Sequence, residues 1–329
     1  MNVTVVGGGS WGTALAAHLA RSGHRARLFV RDADLARRIL ETRENSAYLP
    51  GVALPEALLA TADLGLACRE AEAVFVVIPS QYCREIYERL REAAPHEAWL
   101  VSATKGLETE TLLRISEVAA QAAPGRALAV LSGPSFALEV ARGQPTAVVV
   151  ASSDAALAEV LQRALSTPHF RVYSSDDVVG VELAGALKNV IAIAAGIVDG
   201  LGYGANTAAA LITRGLVEIT RLAVARGGRA DTLAGLAGLG DLVLTCTGAL
   251  SRNRRVGQAL GRGLPPAEAT HAAPGMVAEG VRTTLAACAL AQLSGVEMPI
   301  ARAMKAVLYE AKPVRQTVDE LMSRSLKRE

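Results

Sequence analysis

The residue in this sequence with the clearest chemical potential is a lysine inside an apolar segment. Lys188 lies near the middle of residues 178–198, VVGVELAGALKNVIAIAAGIV, which are mostly apolar. An ammonium buried there must find a partner or lose its proton, because desolvation lowers the pKa of a lysine. A lysine tuned in this way can exchange a proton with a carbonyl or an alcohol near neutral pH. The alternative is a side chain that reaches the domain surface and stays solvated.

Two further residues, Lys105 and Asp241, stand at positions suited to ligand binding. Lys105 follows a predicted strand over residues 100–103, and open α/β sheets bind ligands at the carboxyl ends of their strands. Asp241 follows a predicted glycine-rich turn in the sequence LAGLGD. The alternative for Lys105 is an ordinary lysine of a surface loop.

The run SRNRR, residues 251–255, stands at the predicted start of a helix. Ser251 is a suitable N-cap. An arginine and an amide beside a helix N-terminus, here Arg252 and Asn253, form a good receptor for a phosphate group. A solvated basic helix face is the ordinary alternative. The sharper hypothesis is a small phosphorylated substrate.

Three glycines, Gly7, Gly9 and Gly12, form the pattern G-x-G-x-x-G between a predicted strand at 3–6 and a helical stretch. In a dinucleotide-binding fold the first glycine permits the tight turn. The second lets the backbone approach a pyrophosphate, and the third lets helix and strand pack closely. A second strand at 26–30 completes the context that this pattern requires. The sequence therefore predicts a dinucleotide site here.

The same segment fits a second pattern. Residues 8–12 read G-x-S-x-G, the nucleophile elbow of α/β hydrolases, which also joins a strand to a helix. A hydrolase needs earlier strands and an oxyanion loop before the elbow, and only seven residues precede Gly8. The hydrolase interpretation therefore stays a minor alternative.

The end of the second strand predicts the choice of coenzyme. An acidic residue at this place meets the free ribose 2′-hydroxyl of NAD, whereas an arginine accommodates the 2′-phosphate of NADP. Arg31 occupies the position and Asp32 follows it. Arg31 favours NADP, while Asp32 leaves NAD open.

The pattern of elements divides the chain into two predicted domains. As far as about residue 175, short apolar β-branched runs alternate with helical stretches, which indicates a largely parallel sheet covered by helices on both faces. From residue 178 onward only helices follow, interrupted at glycine and proline. We therefore expect an α/β fold with a Rossmann-like, doubly wound, mostly parallel sheet at 1–177. An all-α domain that carries the substrate and catalytic residues is expected at 178–329. The predicted strands lie at 3–6, 26–30, 73–79, 100–103, 127–131 and 147–151, and predicted helices lie at 82–93, 111–122, 178–199, 207–226, 252–260, 279–293, 300–310 and 317–325.

Composition excludes several functional classes. The 329 residues, 51% of them hydrophobic, suit two packed domains rather than a disordered chain. The net charge is only +2 and the basic residues are scattered, which argues against a nucleic-acid partner. The four cysteines form no CxxC pair and the five histidines are isolated, so we predict no metal site.

The location of the protein is predicted from two segments. The N-terminus lacks a basic region and a cleavage-type tail, so we expect a cytoplasmic protein. Residues 178–198 have the length of a membrane span, but they contain Glu182 and Lys188. A lysine at the centre of a membrane helix costs roughly 2.5–3.5 kcal/mol, so a buried helix is the better interpretation. The apolar surfaces expected for the helical domain are compatible with a homodimer.

These features together resemble one family, the bacterial-type NAD(P)-dependent glycerol-3-phosphate dehydrogenases. The resemblance covers essentially the whole chain and implies an all-helical second domain of the 6-phosphogluconate-dehydrogenase type. It rests on GGGSWGTALA at 7–16, NSAYLPG at 45–51, SATKGLE at 102–108, SGPSFALEV at 132–140, the segment 182–211, GLGDLVLTC at 238–246, SRNRRVG at 251–257 and VAEGVRT at 277–283.

The resemblance implies an activity and a set of site residues. Members of the family reversibly reduce dihydroxyacetone phosphate to sn-glycerol 3-phosphate, a precursor of glycerophospholipids, with Lys188 as the implied acid/base. The implied substrate ligands are Lys105, Gly133, Ser135, Lys188, Asp241, Ser251, Arg252 and Asn253. The implied dinucleotide contacts, beyond Gly7, Gly9 and Gly12, are Ser10, Trp11, Arg31, Lys105, Ala137, Arg252, Val277 and Glu279. Where some members have a second basic residue, this chain has Asp32, which weakens the case for a strict NADP preference.

Two other functions fit part of the pattern. Another dehydrogenase with a Rossmann domain and a helical domain, acting on a 3-hydroxy acid or a sugar acid, would share the glycine turn and a helix lysine but need not have SRNRR. A non-enzymatic dinucleotide sensor would have little reason to keep Lys105, Lys188 and Asp241 together.

Overall fold

The computed structural model describes residues 1–270 and 278–325. The chain divides into two compact units, one of Met1–Glu108 with Leu113–Glu182, the other of Thr109–Leu112 with Leu183–Glu329. The division falls after Glu182, whereas the sequence prediction placed it between 177 and 178. It therefore lies inside a continuous helix.

The first unit contains an eight-stranded sheet in the order β3-β2-β1-β4-β5-β6-β7-β8. All neighbouring strands are parallel except β6 and β7, which are antiparallel. The first six strands follow the order 3-2-1-4-5-6 of a doubly wound dinucleotide-binding fold. The predicted fold class is thereby confirmed. The strands are β1 Asn2–Val6, β2 Arg25–Phe29, β3 Leu59–Thr61, β4 Ala73–Val76, β5 Trp99–Ser102, β6 Leu128–Ser132, β7 Thr146–Ala151 and β8 Phe170–Ser175.

Helices separate most of the strands and make up the second unit. A short 3₁₀ turn lies at Ser80–Tyr82 and a π-helical turn at Leu236–Gly240. The helices that flank the sheet are α1 Ser10–Arg21, α2 Ala33–Thr42, α3 Leu64–Cys68, α4 Cys83–Ala93, α5 Ile115–Ala122, α6 Ala137–Ala141 and α7 Ala155–Leu165. The following helices are α8 Val178–Gly200, α9 Ala205–Ala225, α10 Ala230–Ala234, α11 Asp241–Thr247, α12 Arg252–Gly261, α13 Pro266–Ala269, α14 Glu279–Leu293, α15 Pro299–Tyr309 and α16 Val314–Met322.

Both edge strands, β3 and β8, are absent from the sequence prediction. β3 has only three residues, and β8 alternates buried with exposed side chains instead of forming an apolar run. The helix expected over 111–122 begins only at Ile115, after Leu112 takes a positive φ of 61°. These differences arise at short or edge elements, where the hydrophobic pattern is weakest.

Helix α8 is long and apolar enough to cross a membrane, but its most apolar 18-residue window is entirely buried. The prediction of a buried helix is confirmed. Within the second unit α8 packs closely against α12 through glycines. A Cβ on Gly257 would lie 2.0 Å from the carbonyl oxygen of Ile193, and one on Gly196 would lie 2.0 Å from that of Arg254. The absence of these side chains brings the helix that bears Lys188 next to the helix that begins SRNRR.

A buried carboxylate ties α9 to the start of α15. The oxygens of Glu218 accept hydrogen bonds from the backbone N–H of Ile300 at 2.8 and 3.1 Å, and Oε2 accepts one from Ala301 at 3.4 Å. Burial raises the pKa of Glu218 from its ordinary 4.5 to about 7, although these N–H groups, Arg324 and Arg214 act in the opposite direction. This group therefore titrates near neutral pH.

We expect the Glu218→Gln variant to lose a pH dependence of stability. A carboxyl group whose folded pKa lies above its unfolded value contributes stability below the unfolded pKa and loses it as pH rises through the folded one. A shift from 4.5 to about 7 makes this loss up to about 3 kcal/mol between those pH values. The melting temperature of the variant, relative to the parent, should rise by several degrees from pH 5 to pH 8. A difference that stays constant with pH would contradict the assignment.

Candidate active site

The glycine turn lies where the strand order reverses, between β1 and β4, which is the place where doubly wound sheets bind nucleotides. Gly7 has φ +130°, and a Cβ there would lie 2.2 Å from the carbonyl oxygen of Val77. A Cβ on Gly12 would lie 1.9 Å from the carbonyl oxygen of Gly7. By contrast, apart from its neighbours in the chain, no described residue has an atom within 4 Å of the Cβ position of Gly9. The first and third glycines are thus required by packing, and the second leaves open space at the start of α1.

The start of α1 fits an anionic dinucleotide in two further respects. Gly9, the N-cap, has no side chain to cap the first-turn N–H groups, and such groups favour a phosphate. The Nε1 of Trp11 is buried and has no hydrogen-bond partner among the described residues, so an acceptor on a bound ligand would satisfy it. Trp11 and Ala137 pack against the same small apolar cluster of Ala14, Leu49, Val52 and Ala141. The structure therefore brings two of the predicted dinucleotide contacts together.

The hydroxyl of Ser10, also a predicted dinucleotide contact, is used within the protein. It donates a hydrogen bond to the carbonyl oxygen of Tyr48 at 2.6 Å. Its backbone belongs to the first turn of α1, so the main chain rather than the hydroxyl proton is suited to contact a phosphate.

At the end of β2, Arg31 and Asp32 have different roles. Asp32 is the N-cap of α2, where Oδ1 accepts hydrogen bonds from the backbone N–H of Asp34 at 2.9 Å and of Leu35 at 3.1 Å. Arg31 is exposed and makes no hydrogen bond or ion pair with other described residues. The Asp32 carboxylate, which kept NAD possible as the coenzyme in the sequence analysis, thus caps a helix. The neighbouring Arg31 guanidinium is available to bind a ligand.

Lys105, Gly133 and Ser135 lie together in the first unit. Lys105 Nζ donates to the carbonyl oxygen of Gly133 at 2.9 Å, and Ser135 Oγ donates to the same oxygen at 3.0 Å. Gly133 has φ +133°, and a Cβ there would lie 2.9 Å from the Cα of Val148. The strand packing therefore explains the glycine, while its carbonyl oxygen orients the lysine and the serine.

In the second unit Lys188 has the partner that its burial requires. Its Nζ donates to Asp241 Oδ1 at 2.5 Å and to Thr245 Oγ1 at 2.7 Å. The side chains of Lys188 and Asp241 are only 7% and 1% exposed. The sequence left open whether Lys188 is paired inside the protein or reaches the surface. In the structure it is paired and buried.

Thr245 is a site residue that the sequence analysis missed. Residues 236–240 form a π-helical turn and α11 begins at Asp241, so the predicted glycine-rich turn is helical. Because residues four apart share a helix face, Thr245 lies over Asp241, and its hydroxyl donates to the Asp241 carbonyl oxygen at 2.6 Å. The spacing D-x-x-x-T in the sequence could have indicated that Thr245 lies beside Asp241, but only if a helix had been predicted over 241–247.

A thiol lies next to this cluster without being reactive. Cys246 is buried, and burial raises its pKa to about 12, although Lys188 and Arg254 act in the opposite direction. A thiol with so high a pKa remains protonated at neutral pH and is a poor nucleophile. Among the described residues no group of three or more histidine, cysteine or acidic side chains could hold a metal ion.

The three arginines of SRNRR, at the N-terminus of α12, differ in their contacts. Ser251 is the N-cap, as predicted, and accepts from the backbone N–H of Arg254 at 3.2 Å. Arg254 pairs with Asp199 at 3.0 Å, and Arg255 donates to the Leu250 carbonyl oxygen at 3.3 Å. The side chain of Arg252 makes no hydrogen bond or ion pair with other described residues. Of the three guanidinium groups, that of Arg252 is therefore the one available to a phosphate.

The amide of Asn253 joins three helices. Its Nδ2 donates to Asn189 Oδ1 at 2.9 Å, and its Oδ1 accepts from the backbone N–H of Gly280 at 3.0 Å. One N–H of Nδ2 remains for a ligand. Glu279, a predicted dinucleotide contact, is the first residue of α14 and adjoins Gly280. Val277, another, lies outside the described residues.

Comparison with known proteins gives matches along the whole chain. Residues 2–158 match the family model for the N-terminus of NAD-dependent glycerol-3-phosphate dehydrogenase, and residues 177–319 match the model for its C-terminus. A glycerol-3-phosphate dehydrogenase (NAD(P)+) of Geobacter sp. (strain M21) is 53% identical over 99% of this chain and 98% of its own length. One of Nitratidesulfovibrio vulgaris (strain DP4) is 52% identical over the full length of both. The crystal structure of glycerol-3-phosphate dehydrogenase from Coxiella burnetii superposes with a TM-score of 0.94 at 43% identity, over 98% of this chain and 99% of that one.

Proposed function

Because the chain belongs to the NAD-dependent glycerol-3-phosphate dehydrogenase family, we propose that it catalyses the reversible, NAD(P)H-dependent reduction of dihydroxyacetone phosphate to sn-glycerol 3-phosphate. The product serves glycerophospholipid biosynthesis. The observation that carries the proposal is the buried contact of 2.5 Å between Lys188 Nζ and Asp241 Oδ1. The reduction of a ketone to an alcohol needs a proton donor beside the carbonyl oxygen, and a buried, oriented ammonium can serve as that donor.

In the first unit the glycine turn, Trp11, Ala137 and Arg31 hold the dinucleotide. When bound, the reduced nicotinamide supplies a hydride to the carbonyl carbon of the substrate. Lys105, oriented by the Gly133 carbonyl oxygen, contributes positive charge to substrate oxygens. Ser135, held by the same oxygen, contributes a hydroxyl. Fixed charges and dipoles of this kind stabilise a developing oxyanion without reorganising during the reaction.

In the second unit Lys188 donates a proton to the carbonyl oxygen as that oxygen becomes a hydroxyl. The lysine is left neutral and regains its proton from solvent, and in the reverse direction it acts as the base. Asp241 and Thr245 fix the direction of Nζ. Arg252 binds the phosphate together with Ser251 and the remaining N–H of Asn253 at the N-terminus of α12, where backbone dipoles also favour an anion.

The assay that tests this function measures oxidation of NADPH and of NADH in the presence of dihydroxyacetone phosphate, with unphosphorylated dihydroxyacetone as the control. We expect rapid oxidation with the phosphate ester and little with the control. No oxidation with the phosphate ester, together with reduction of NAD+ or NADP+ by a 3-hydroxy acid or a sugar acid, would indicate a different dehydrogenase. Dinucleotide binding without oxidation would indicate a sensor.

We also propose that the enzyme prefers NADP over NAD. Asp32 is engaged as the N-cap of α2, and Arg31 is exposed with no partner among the described residues. A guanidinium in this position forms charge-assisted hydrogen bonds with a 2′-phosphate.

Replacement of Arg31 by glutamine is expected to lower kcat/KM for NADPH by about 10- to 100-fold, since each hydrogen bond to a charged group contributes roughly 1.5–3 kcal/mol. The value for NADH should change by less than about threefold. The matched control is Asp32→Asn, because asparagine is also a good N-cap. It should leave both values nearly unchanged. Equal losses for both coenzymes in Arg31→Gln would contradict this assignment.

Two further properties complete the proposal. We place the enzyme in the cytoplasm, in keeping with four cysteines that are all free thiols. We also propose a homodimer, because the second unit exposes apolar side chains such as Leu239, Val243 and Leu250. Light scattering coupled to gel filtration measures the oligomeric state.

A further inference from the structure

The segment NSAYLPG at 45–51 belongs to the family pattern, but no function is assigned to it above. Its first residue, Asn45, is fully buried in the first unit. The Nδ2 of Asn45 donates to the carbonyl oxygen of Gly8 at 2.9 Å and to Thr13 Oγ1 at 2.8 Å. Thr13 Oγ1 lies in turn 3.4 Å from the Gly8 oxygen, as a donor to it. Both donors therefore converge on one carbonyl of the glycine turn.

The same segment also contacts Ser10, the residue that follows Gly9 in the glycine turn. Asn45 Oδ1 accepts from the backbone N–H of Tyr48 at 3.3 Å. The carbonyl oxygen of Tyr48 accepts from Ser10 Oγ at 2.6 Å. Gly8, Asn45, Tyr48 and Ser10 thus form a closed ring of contacts around Gly9, and the ring restricts rotation of the peptide between Gly8 and Gly9.

The orientation of this peptide decides where one N–H group points. In a trans peptide the C=O and the N–H point in opposite directions, and the described residues contain no cis peptide. The Gly8 carbonyl oxygen is held toward Asn45, so the N–H of Gly9 points away from it. That N–H donates no hydrogen bond to any described residue, and the space at the missing Gly9 side chain is open.

We propose that Asn45 is a positioning residue for the pyrophosphate of the dinucleotide. Asn45 is fully buried and acts through the glycine turn rather than by direct contact with the dinucleotide. By holding the Gly8 carbonyl oxygen, it aims the Gly9 N–H at the phosphate oxygens that lie at the N-terminus of α1. The inference rests on the proposed function only in taking the glycine turn as the dinucleotide site.

The test compares a ligand that has a pyrophosphate with one that lacks it. The dissociation constants of ADP-ribose and of adenosine are each measured directly by equilibrium titration, without turnover, for the parent and for Asn45→Asp. The aspartate has the same shape but has lost both N–H donors, and it places a negative charge against the Gly8 oxygen. The matched control is Ser46→Ala, which alters an exposed residue of the same segment.

In Asn45→Asp we expect the dissociation constant of ADP-ribose to rise by about 10- to 100-fold, as for one misdirected hydrogen bond to a charged group. The constant for adenosine should change by less than about twofold, and kcat at saturating dinucleotide by less than about threefold. Ser46→Ala should match the parent throughout. If the aspartate variant does not fold, Asn45→Ser removes the same donors without adding charge and should give the same pattern.

Two results would overturn the inference. One is an equal rise in the constants for ADP-ribose and adenosine, which would indicate a general structural effect. The other is an unchanged constant for ADP-ribose. A parent protein that binds no dinucleotide at all would instead refute the proposed function, so the two failures are distinguishable.

Discussion

Replacement of Lys188 by alanine is expected to lower kcat by at least about 10³-fold while the affinity for the dinucleotide changes by less than about threefold. General acid catalysis alone contributes about 10²–10⁴-fold, and the ammonium also stabilises the developing charge on the carbonyl oxygen. The dinucleotide should be little affected because the residues predicted to bind its pyrophosphate belong to the sheet-containing unit. The measurements are the rate of NADPH oxidation with dihydroxyacetone phosphate and the Kd of NADPH by fluorescence titration.

The control variant for this experiment is Lys188→Arg. Loss of the ammonium leaves the Asp241 carboxylate buried without a cation, and breaking a buried pair by removing one partner commonly costs 3–5 kcal/mol. The arginine keeps a positive charge beside Asp241, but a guanidinium does not give up its proton at neutral pH. We therefore expect Lys188→Arg to melt near the parent temperature and still to have lost turnover.

A chemical rescue separates proton transfer from a change of shape. Small primary ammonium ions added to Lys188→Ala should restore part of the activity, since they supply the missing proton donor in the space that the side chain vacates. The same ions should have no effect on Lys188→Arg. Turnover within about tenfold of the parent in Lys188→Ala would show that another group is the acid.

The sheet could be predicted from the sequence because its central strands are buried on both faces. β4 reads as a continuous apolar run, and β1 and β5 read as nearly continuous ones. Such runs separated by helices indicate parallel pairing. The short edge strand β3 and the alternating edge strand β8 carry a weaker signal, and both were missed. The position of the glycine turn between β1 and α1 was predicted correctly, because the three glycines stand at fixed spacing between an apolar run and a helical stretch.

Contacts between residues far apart in sequence could not be predicted in the same way. Asn45 acts on Gly8, 37 residues away, and Asn253 contacts Asn189, 64 residues away. Neither contact follows from a periodic pattern in the sequence, because each depends on how distant helices and strands pack together. Thr245 was missed for a different reason. Gly238 and Gly240 lower the helix propensity just before α11, so the sequence indicated a turn where the chain is helical.

Loss of the Arg252 guanidinium is also expected to have a large effect, in this case on kcat/KM for the phosphorylated substrate. Its neighbours Arg254 and Arg255 are engaged with Asp199 and with the Leu250 carbonyl oxygen, whereas Arg252 has no partner among the described residues. An arginine can bind a phosphate through two parallel hydrogen bonds, each worth roughly 1.5–3 kcal/mol. We expect Arg252→Ala to lower kcat/KM for dihydroxyacetone phosphate by about 10²–10⁴-fold.

The specificity of this effect can be measured with the truncated substrate. Unphosphorylated dihydroxyacetone cannot use the guanidinium, so its low kcat/KM should be the same in Arg252→Ala and in the parent to within about threefold. The control is Arg255→Ala, which removes an exposed arginine of the same helix turn and should leave both substrates unaffected. Because Arg252 is also a predicted dinucleotide contact, the Kd of NADPH is determined for each variant and the comparison is made at saturating coenzyme. If Arg252→Ala impaired both substrates equally, the guanidinium would act on the reaction centre or on the coenzyme, and the phosphate would have to be bound elsewhere.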